Sequence, residues 1–105
     1  MDKIETLKEI LSQDPKNAFA RYGLAMEYVG RDETETALAE FDRLLEDNPE
    51  YVAGYFMSAQ ALARAGRAAD AKQRLVDGIA RGRRAGNQHA VSEMQAMLDE
   101  MEMPE

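Results

Sequence analysis

The sequence has no cysteine and no tryptophan among its 105 residues, and it contains one histidine and three prolines. Without cysteine the chain can form neither a disulfide nor a thiolate zinc site, so packing has to stabilise the fold. Hydrophobic residues make up 45% of the chain and charged residues 31%, which is typical of a globular protein. At this length we expect one domain, residues 1–105, with a single core.

Long apolar runs are also absent. No stretch approaches the roughly 18 apolar residues that a membrane-spanning helix needs. The N-terminus runs directly into the charged residues Asp2, Lys3 and Glu5. We therefore expect a cytoplasmic protein with no membrane partner.

The charge is negative overall and unevenly distributed. The net charge is −7; residues 1–52 carry six basic and thirteen acidic side chains, residues 53–86 seven and two, and residues 87–105 none and five. Binding to nucleic acid requires positive potential over the contacting face. The balance therefore disfavours nucleic acid as a general partner.

Groups for catalysis are scarce. An enzyme usually needs a nucleophile beside a base, or a metal cluster, and His89 is the single histidine in the chain. The serines lie in helical runs, not in the strand–turn–helix of a nucleophile elbow. No glycine-rich phosphate loop is present. The sequence predicts no enzyme activity, no cofactor and no metal site.

A 34-residue repeat organises the chain. Asp14-Pro15 and Asn48-Pro49 are separated by one such period, and shifting the sequence by that length aligns small residues with small and large with large. The aligned pairs are Ala25 with Ala59, Ala37 with Ala71, Tyr28 with Leu62, Phe41 with Leu75, and Leu45 with Ile79. The segment 4–11 aligns with the second half of the first repeat, so the chain begins within a repeat.

The spacing of apolar residues is helical throughout. Ile4, Leu7 and Leu11, for example, share one face of a helix. We expect six helices near residues 3–13, 17–30, 34–47, 51–65, 68–84 and 87–102. Pro15 and Pro49 would end helices, because proline lacks the amide donor and restricts the residue before it. Left-handed C-terminal turns are expected at Gly30, Gly66 and Gly86.

These residues resemble the motif of the tetratricopeptide repeat family. In the first helix of that motif a large residue is followed by a small residue and then by Tyr or Leu. The second helix has a small residue, an aromatic residue and an apolar residue, and a proline closes the unit. The first repeat supplies Leu24, Ala25, Tyr28, Ala37, Phe41, Leu44 and Pro49, and the second supplies Tyr55, Ala59, Leu62, Ala71 and Leu75. Departures occur at Arg21 (an aromatic position), Ser58 (a large apolar position), Gly78 (a small alanine) and Arg83 (the third proline).

The resemblance covers about residues 3–85 and implies a small bacterial two-repeat protein with an all-α fold. That fold is a right-handed superhelical stack of antiparallel helix pairs, an α-solenoid of about six helices. Its expected parts are a half-repeat helix at 3–13, repeats at 18–51 and 52–85, and a C-terminal capping helix at 87–102. The last segment has an apolar stripe rich in Met, which favours a cap over the final repeat or, alternatively, an adaptable docking surface.

In this family the first helices of successive repeats line a concave protein-binding groove. The resemblance implies that the groove residues here are Phe19, Tyr22, Met26 and Val29 in the first repeat and Phe56, Met57, Gln60 and Arg64 in the second. Family members that clamp a chaperone's C-terminal carboxylate place Lys, Arg and Asn in the groove. This sequence instead has Tyr22, Gly23, Ala53 and Met57 at such positions, so a carboxylate clamp is not expected.

An apolar groove favours a peptide or an amphipathic helix as ligand, and thus an adaptor or scaffold whose protein partner the sequence does not identify. Two alternatives remain open. The groove is used in self-association, as in a structural homo-oligomer or homodimer, or the chain's own terminal helices cover Phe19, Tyr22 and Phe56.

A basic face is the last candidate feature. Arg67, Arg74 and Arg81 recur every seven residues and so share one side of a helix. They form either a solvated surface or a contact for an acidic partner, which salt would weaken. RNA is a minor alternative, since no aromatic residue lies between the arginines for base stacking.

Overall fold

Six α-helices and the turns between them make up the fold. A computed structural model of the protein describes residues 2–104, and this range contains no β-strand. The predicted domain limits, residues 1 and 105, lie outside it. The helices are α1 (Lys3–Gln13), α2 (Ala18–Gly30), α3 (Thr34–Asp47), α4 (Val52–Arg64), α5 (Ala68–Arg84) and α6 (Gln88–Glu102). The all-α prediction is confirmed, and every helix end lies within one residue of its expected position.

The helices reproduce the 34-residue period. α2 and α4 both have 13 residues and begin at equivalent positions of the repeat, as do α3 and α5. α5 is nevertheless longer than α3, with 17 residues against 14. Pro49 follows the C-cap residue Asn48 and prevents α3 from continuing, whereas Arg83 at the equivalent place keeps its amide and α5 runs on to Arg84.

Residues in the left-handed backbone conformation follow the ends of three helices. Gly66 and Gly86 have φ of 78° and 71°, as predicted, and Asp32 has φ of 62°. After Asp32 the amide of Glu33 donates to the carbonyl of Tyr28 at 2.9 Å, which is the Schellman arrangement. The prediction for Gly30 is wrong: it is the last residue of α2, and the returning hydrogen bond requires the left-handed residue two positions later.

Side chains cap three helix starts. Asp2 accepts a hydrogen bond from the amide of Glu5 at 3.1 Å, and Asn17 accepts one from Ala20 at 2.9 Å. Asn87, the N-cap of α6, accepts a hydrogen bond from the amide of Ala90 at 3.1 Å. Each oxygen satisfies an amide that has no partner within its helix.

The chain divides into two compact units. The first unit ends at Tyr51, and in it α2 packs against both α1 and α3. Ala25 and Ala37 are fully buried there together with Phe41 and Leu44. Methyl side chains at these points let helix backbones approach closely, as the repeat pattern predicts.

The second unit begins at Val52, and in it α5 packs against α4 and α6. Met94 of α6 is fully buried, and Val91 and Leu98 of the same helix are buried as well. The apolar stripe of α6 therefore packs within its own unit. Met97 and Met101 are half-buried.

Two departures from the repeat motif form buried polar pairs. Arg21, at an aromatic position, is 8% exposed and donates to the Glu40 carboxylate at 2.6 Å and to the Pro15 carbonyl at 3.0 Å. Ser58, at a large apolar position, is fully buried and accepts from Arg74 Nη1 at 3.0 Å. Within residues 2–104 no buried side-chain nitrogen or oxygen is left without a partner, so both replacements are compensated.

Gly78 is explained by the approach of neighbouring helices. A Cβ placed on Gly78 would lie 2.5 Å from Tyr55 Cβ and 2.6 Å from Met94 Sδ. Such distances are far below van der Waals contact, so an alanine does not fit there. Glycine at this position lets both α4 and α6 pack against α5.

Candidate protein-binding site

An open pocket of about 380 Å³ lies between α1 and α2 in the first unit. α2 contributes three large side chains at helical spacing. The N-terminal half of α1 contributes the opposite wall. The lining residues are Lys3, Leu7, Phe19, Tyr22, Gly23, Met26 and Glu27. We call this cavity the α1–α2 pocket.

Phe19 is the most exposed large apolar side chain of the pocket. It is 81% exposed, whereas Leu7, Tyr22 and Met26 are half-buried. One alternative left open by the sequence is that a terminal helix of the chain covers Phe19. α1 borders the pocket through Lys3 and Leu7 but leaves the Phe19 ring in solvent.

Gly23 lies where α2 faces Leu7 of α1. A Cβ placed there would lie 3.4 Å from Leu7 Cδ2. Because glycine has no side chain, Leu7 of α1 can pack directly against the backbone of α2. A methyl group at position 23 would be in van der Waals contact with Leu7.

Tyr22 is held by two other aromatic rings of the first unit. Its ring meets Phe41 edge-on at a centroid distance of 6.4 Å and lies 5.4 Å from the ring of Tyr51. Burial raises the pKa of the Tyr22 hydroxyl above 10, and the neighbouring Tyr51 raises it further; burial also raises the pKa of Tyr51. Both hydroxyls are therefore neutral at physiological pH, and the surface is aromatic with polar tips.

A single ion pair lies at the rim of the pocket. Lys3 Nζ is 3.5 Å from Glu27 Oε1, with the Lys3 side chain 78% exposed. Exposed pairs of this kind contribute at most about 1 kcal/mol to stability. A ligand can displace it at little cost.

A second hollow of about 410 Å³ lies on the turn after α3, lined by Asn48, Pro49, Glu50 and Tyr51. We call it the Pro49 hollow. Tyr22 lines the α1–α2 pocket and Tyr51 lines the Pro49 hollow, and the two rings contact each other.

A third cavity, also about 410 Å³, is lined mainly by residues with polar side chains. It is lined by Thr6, Glu9, Ile10, Gln13, Asp14 and Asn17. Ile10, at 42% exposed, is its one large apolar residue. Since protein-binding sites have an apolar centre, the α1–α2 pocket is the better candidate.

The structure brings together three of the predicted groove residues: Phe19, Tyr22 and Met26. Val29, also on α2, is half-buried and is not among the lining residues. In the second unit Phe56, Met57 and Gln60 are half-buried in α4, and Arg64 is exposed at its end. Sequence reasoning missed Leu7, although Leu7 lies in the segment 4–11 that aligns with the second half of the first repeat.

The predicted basic face is not uniformly exposed. Arg67 precedes α5 and pairs with Asp70 at 3.0 Å, while Arg74 and Arg81 are half-buried. Arg74 donates to the buried hydroxyl of Ser58. Two of the three predicted residues, Arg67 and Arg74, therefore have a polar contact within their own unit.

The described part of the chain was also compared with what a metal site or a membrane-spanning helix requires. His89 is exposed, with its Nε2 3.2 Å from the carboxylate of Glu93. Residues 2–104 contain no group of three or more His, Asp or Glu side chains placed to hold a metal ion. No helix among them is both long and apolar enough to cross a bilayer.

Comparison with known proteins identifies the family, although no protein-family model matches the chain. A TPR repeat-containing protein of Pseudomonas aeruginosa is 31% identical over 99 residues, which is 94% of each chain. The solution structure of a tetratricopeptide repeat domain protein from Salinibacter ruber is 35% identical, with a TM-score of 0.80 over 84% of this chain and 89% of that one.

A third comparison concerns the fold alone. PcrH, solved in complex with the chaperone binding region of PopD, has a TM-score of 0.87 at 15% identity, over 93% of this chain and 74% of that one. Helix pairs with a 34-residue period, and sequence likeness along nearly the whole chain, lead to one conclusion. The protein belongs to the tetratricopeptide repeat family.

Proposed function

We propose that this protein is an interaction module that binds another polypeptide by taking an apolar side chain into the α1–α2 pocket. The tetratricopeptide repeat fold supports a protein–protein interaction module in general. The observation that carries the specific site is the 81% exposure of Phe19 on the wall of an apolar pocket. Exposed aromatic side chains beside an apolar hollow are typical of interaction surfaces.

The walls suit a side chain of a polypeptide better than a small polar ligand. Phe19, Tyr22 and Met26 supply aromatic and thioether surface, and a thioether chain adapts to the shape of what it contacts. Small-molecule sites usually enclose the ligand and direct several polar groups at it. Here the charged groups at the rim, Lys3 and Glu27, already face each other.

A carboxylate clamp is not part of the proposal. Lys3 is the single cationic residue in the lining of the pocket, and it is paired with Glu27. A clamp requires several unpaired donors directed at one carboxylate. The pocket would recognise shape and apolar surface instead.

The complex of PcrH with the chaperone binding region of PopD supports the general mode. It is an example of a chain of this fold that holds a segment of another protein. At 15% identity the comparison extends to the fold and not to the identity of the partner.

Photo-cross-linking tests the proposal directly. We would place a benzophenone amino acid at position 19 and, as a matched control, at Val76, another exposed apolar residue, which is 49% exposed on α5. We expect a specific adduct in the native host from position 19 and not from position 76, and we expect Phe19→Ala to reduce affinity for the captured protein by roughly tenfold.

The exposure of Phe19 keeps this test interpretable. Since its ring contributes little to the core, Phe19→Ala should leave thermal unfolding unchanged. Adducts that form equally from both positions, or a captured protein that binds Phe19→Ala as well as the wild type, would contradict the proposed site.

A further inference from the structure

We infer that the polypeptide bound at this site is an amphipathic helix that packs against α1 as α2 packs against α3, and so completes the half-repeat with a first helix. An aromatic side chain of that helix would enter the α1–α2 pocket, and the residue before it would contact Ile10. This inference rests on the proposed function and specifies the chemistry of the partner.

α1 has the packing positions of a second helix of the repeat. It aligns with α3 at one 34-residue period and with α5 at two. In α3 and α5 the apolar positions of one face are buried, and the first helix of the same repeat packs against each of them. The aligned sets are Leu7 with Phe41 and Leu75, and Ile10 with Leu44 and Gly78.

The same positions of α1 are not buried. Leu7 is half-buried and Ile10 is 42% exposed. The helix packed against α1 is α2, which belongs to the next repeat, and residues 2–104 supply no first helix for α1. Repeats of this kind bury their apolar faces by stacking against other helices. The open face of α1 is therefore a site for one further helix.

One stripe of α1 carries both the pocket residue Leu7 and the exposed Ile10. Its members lie three and four residues apart on one side of the helix: Lys3, Thr6, Leu7, Ile10 and Gln13. We call this set the α1 stripe. Lys3 and Leu7 line the α1–α2 pocket, and Ile10 lies one turn further along. A helix lying along the stripe therefore reaches the pocket and covers Ile10 with the same face.

The first unit shows which residue of such a helix enters the pocket. Tyr22 of α2 meets the ring of Phe41 in α3 edge-on. Phe41 aligns with Leu7, which lines the α1–α2 pocket. An aromatic residue of the occupant at the place of Tyr22 would therefore contact Leu7 inside the pocket.

The second unit shows that the preceding residue faces Ile10. Tyr55 of α4 lies against Gly78 of α5, the position that aligns with Ile10. Tyr55 itself aligns with Arg21, which directly precedes Tyr22. Consecutive residues of the occupant therefore contact Ile10 and the pocket.

A small residue is required one turn further along the occupant. Ala25 and Ala59 follow the aromatic residues Tyr22 and Phe56 by three positions, and both alanines are fully buried. A methyl group there lets helix backbones approach closely. The occupant should therefore carry a long side chain, an aromatic residue, two unspecified residues and then Ala.

Charge complementarity selects Arg for the long side chain. Glu9 and Asp14 line the same cavity as Ile10. Their carboxylates have no hydrogen-bonding or ion-pair partner among residues 2–104. At the equivalent place of the first repeat Arg21 donates to Glu40. An arginine of the occupant can cover Ile10 with its methylene chain and direct its guanidinium toward these carboxylates.

A second copy of this chain fits the α1 stripe less well. Its own first helices, α2 and α4, are packed within their units. Ala25 and Ala59 are fully buried there, and Arg21 and Tyr55 are at most 8% exposed. A copy would have to unfold one of its units to donate such a helix, so we assign the occupant to a different polypeptide.

A designed peptide provides the probe. It would be an alanine-rich helix of about 18 residues with a hydrocarbon staple on the far face, because short isolated helices are marginal in water. Its contact face would carry Arg, Trp, two unspecified residues and Ala, in that order. The protein itself has no tryptophan, so a blue shift of the peptide's Trp emission reports binding without interference.

Three comparison peptides isolate the terms: one with Leu in place of that Ala, one with Trp moved to the opposite helix face, and one with Glu in place of Arg. We expect the designed peptide to bind at least roughly tenfold more tightly than the first two. Against the Glu peptide we expect a preference of a few-fold that decreases as salt is raised.

Two protein variants locate the contact on the α1 stripe. Ile10→Asp should weaken the designed peptide by roughly tenfold, because it places a charge against the apolar face of the helix. Val76→Asp makes the same kind of change at an exposed apolar residue of α5 and should leave binding unchanged. Circular dichroism and thermal unfolding confirm that both variants are folded.

The direction of the bound helix provides a second measurement, made on the wild-type protein. α2 and α3 are antiparallel, so the occupant should run antiparallel to α1. A nitroxide at the N-terminal end of the peptide should broaden the amide resonances near Gln13 most, and one at its C-terminal end those near Ile4. The protein has no cysteine, so a thiol-linked label is confined to the peptide. The opposite order would overturn the inference.

The remaining outcomes separate this inference from the proposed function. If the Leu peptide, or the peptide with Trp on the opposite face, binds as well as the designed one, the first-helix pattern is wrong. Equal binding of the Glu peptide overturns the choice of Arg. If Ile10→Asp has no effect while position 19 still captures a partner, the pocket remains the site and its occupant is not a first helix.

Dimers of the protein alone that Ile10→Asp dissociates would identify a second copy as the occupant. Failure of the proposed function itself would appear as equal cross-linking from positions 19 and 76.

Discussion

Asp32 adopts a left-handed backbone conformation that the equivalent position of the second repeat gives to glycine. Asp32 and Gly66 occupy the same place in successive repeats, with φ of 62° and 78°. Both are followed by the same hydrogen bond, from Glu33 to Tyr28 and from Arg67 to Leu62, each 2.9 Å long. An aspartate is strained in this conformation, and its charge lies at the negative end of the α2 dipole.

Asp32→Gly should therefore stabilise the protein by about 1 kcal/mol, which corresponds to an increase in Tm of a few degrees. Gly66→Asp, the reciprocal change at the equivalent turn, should destabilise it by a similar amount. Thermal unfolding followed by circular dichroism measures both. If Asp32→Gly lowers the Tm, the aspartate makes a compensating contact and the strain argument is wrong.

At the scale of the helices, the glycines of α5 determine how α6 packs. A Cβ on Gly82 would lie 2.8 Å from Val91 Cγ2, and one on Gly78 would meet Tyr55 and Met94. The pattern Gly-x-x-x-Gly thus places two side-chain-free positions on one face of α5, where α6 lies. Met94 can then be fully buried in the second unit.

Gly78→Ala should destabilise the protein by about 1–3 kcal/mol, because Tyr55 Cβ cannot move away without shifting α4. The expected cost is net of the gain of up to about 1 kcal/mol in helix propensity. Urea unfolding measures the change, and faster hydrogen exchange in α6 would show that its packing is affected.

Gly30→Ala is the matched control for this prediction. Gly30 is also helical, but a Cβ there would have no other heavy atom within 4 Å, so only the favourable propensity term remains. A Gly78→Ala protein as stable as Gly30→Ala would show that α4 and α6 accommodate a methyl group, contrary to the packing distances.

At the scale of the whole molecule, the remaining exposed apolar residues bear on self-association. Exposed large apolar residues occur at Ile10, Phe19, Val76 and Met103, which lie on α1, on α2, on α5 and after the end of α6. A stable dimer usually buries about 1,200–2,000 Å² around a continuous apolar centre. The net charge of −7 also opposes the association of identical chains.

We therefore expect the protein to be a monomer when diluted to about micromolar concentration, where only interfaces of substantial affinity persist. Size-exclusion chromatography with light scattering over a dilution series measures the mass. The same series with Phe19→Ala identifies the surface involved if association occurs. A mass that rises with concentration in the wild type would support the homo-oligomer alternative.

The helices and their ends could be predicted from the sequence because their causes are local. Apolar spacing along a few turns, Pro15 and Pro49 after α1 and α3, and the cap residue Asn87 all act within a few residues of the boundary they determine. The 34-residue period added the pairing of helices. The prediction of a left-handed turn at Gly30 was wrong, because several residues near a helix end can adopt the left-handed conformation.

The sequence by itself thus determined the repeat, the six helices and the apolar character of one face of α2. Only the tertiary structure decided that Phe19 stays exposed while Tyr22 packs against Phe41 and Tyr51. It also decided that Leu7 joins the pocket. Burial and contact depend on which distant segments meet in space, and periodicity along one helix carries no information about the helix that packs against it.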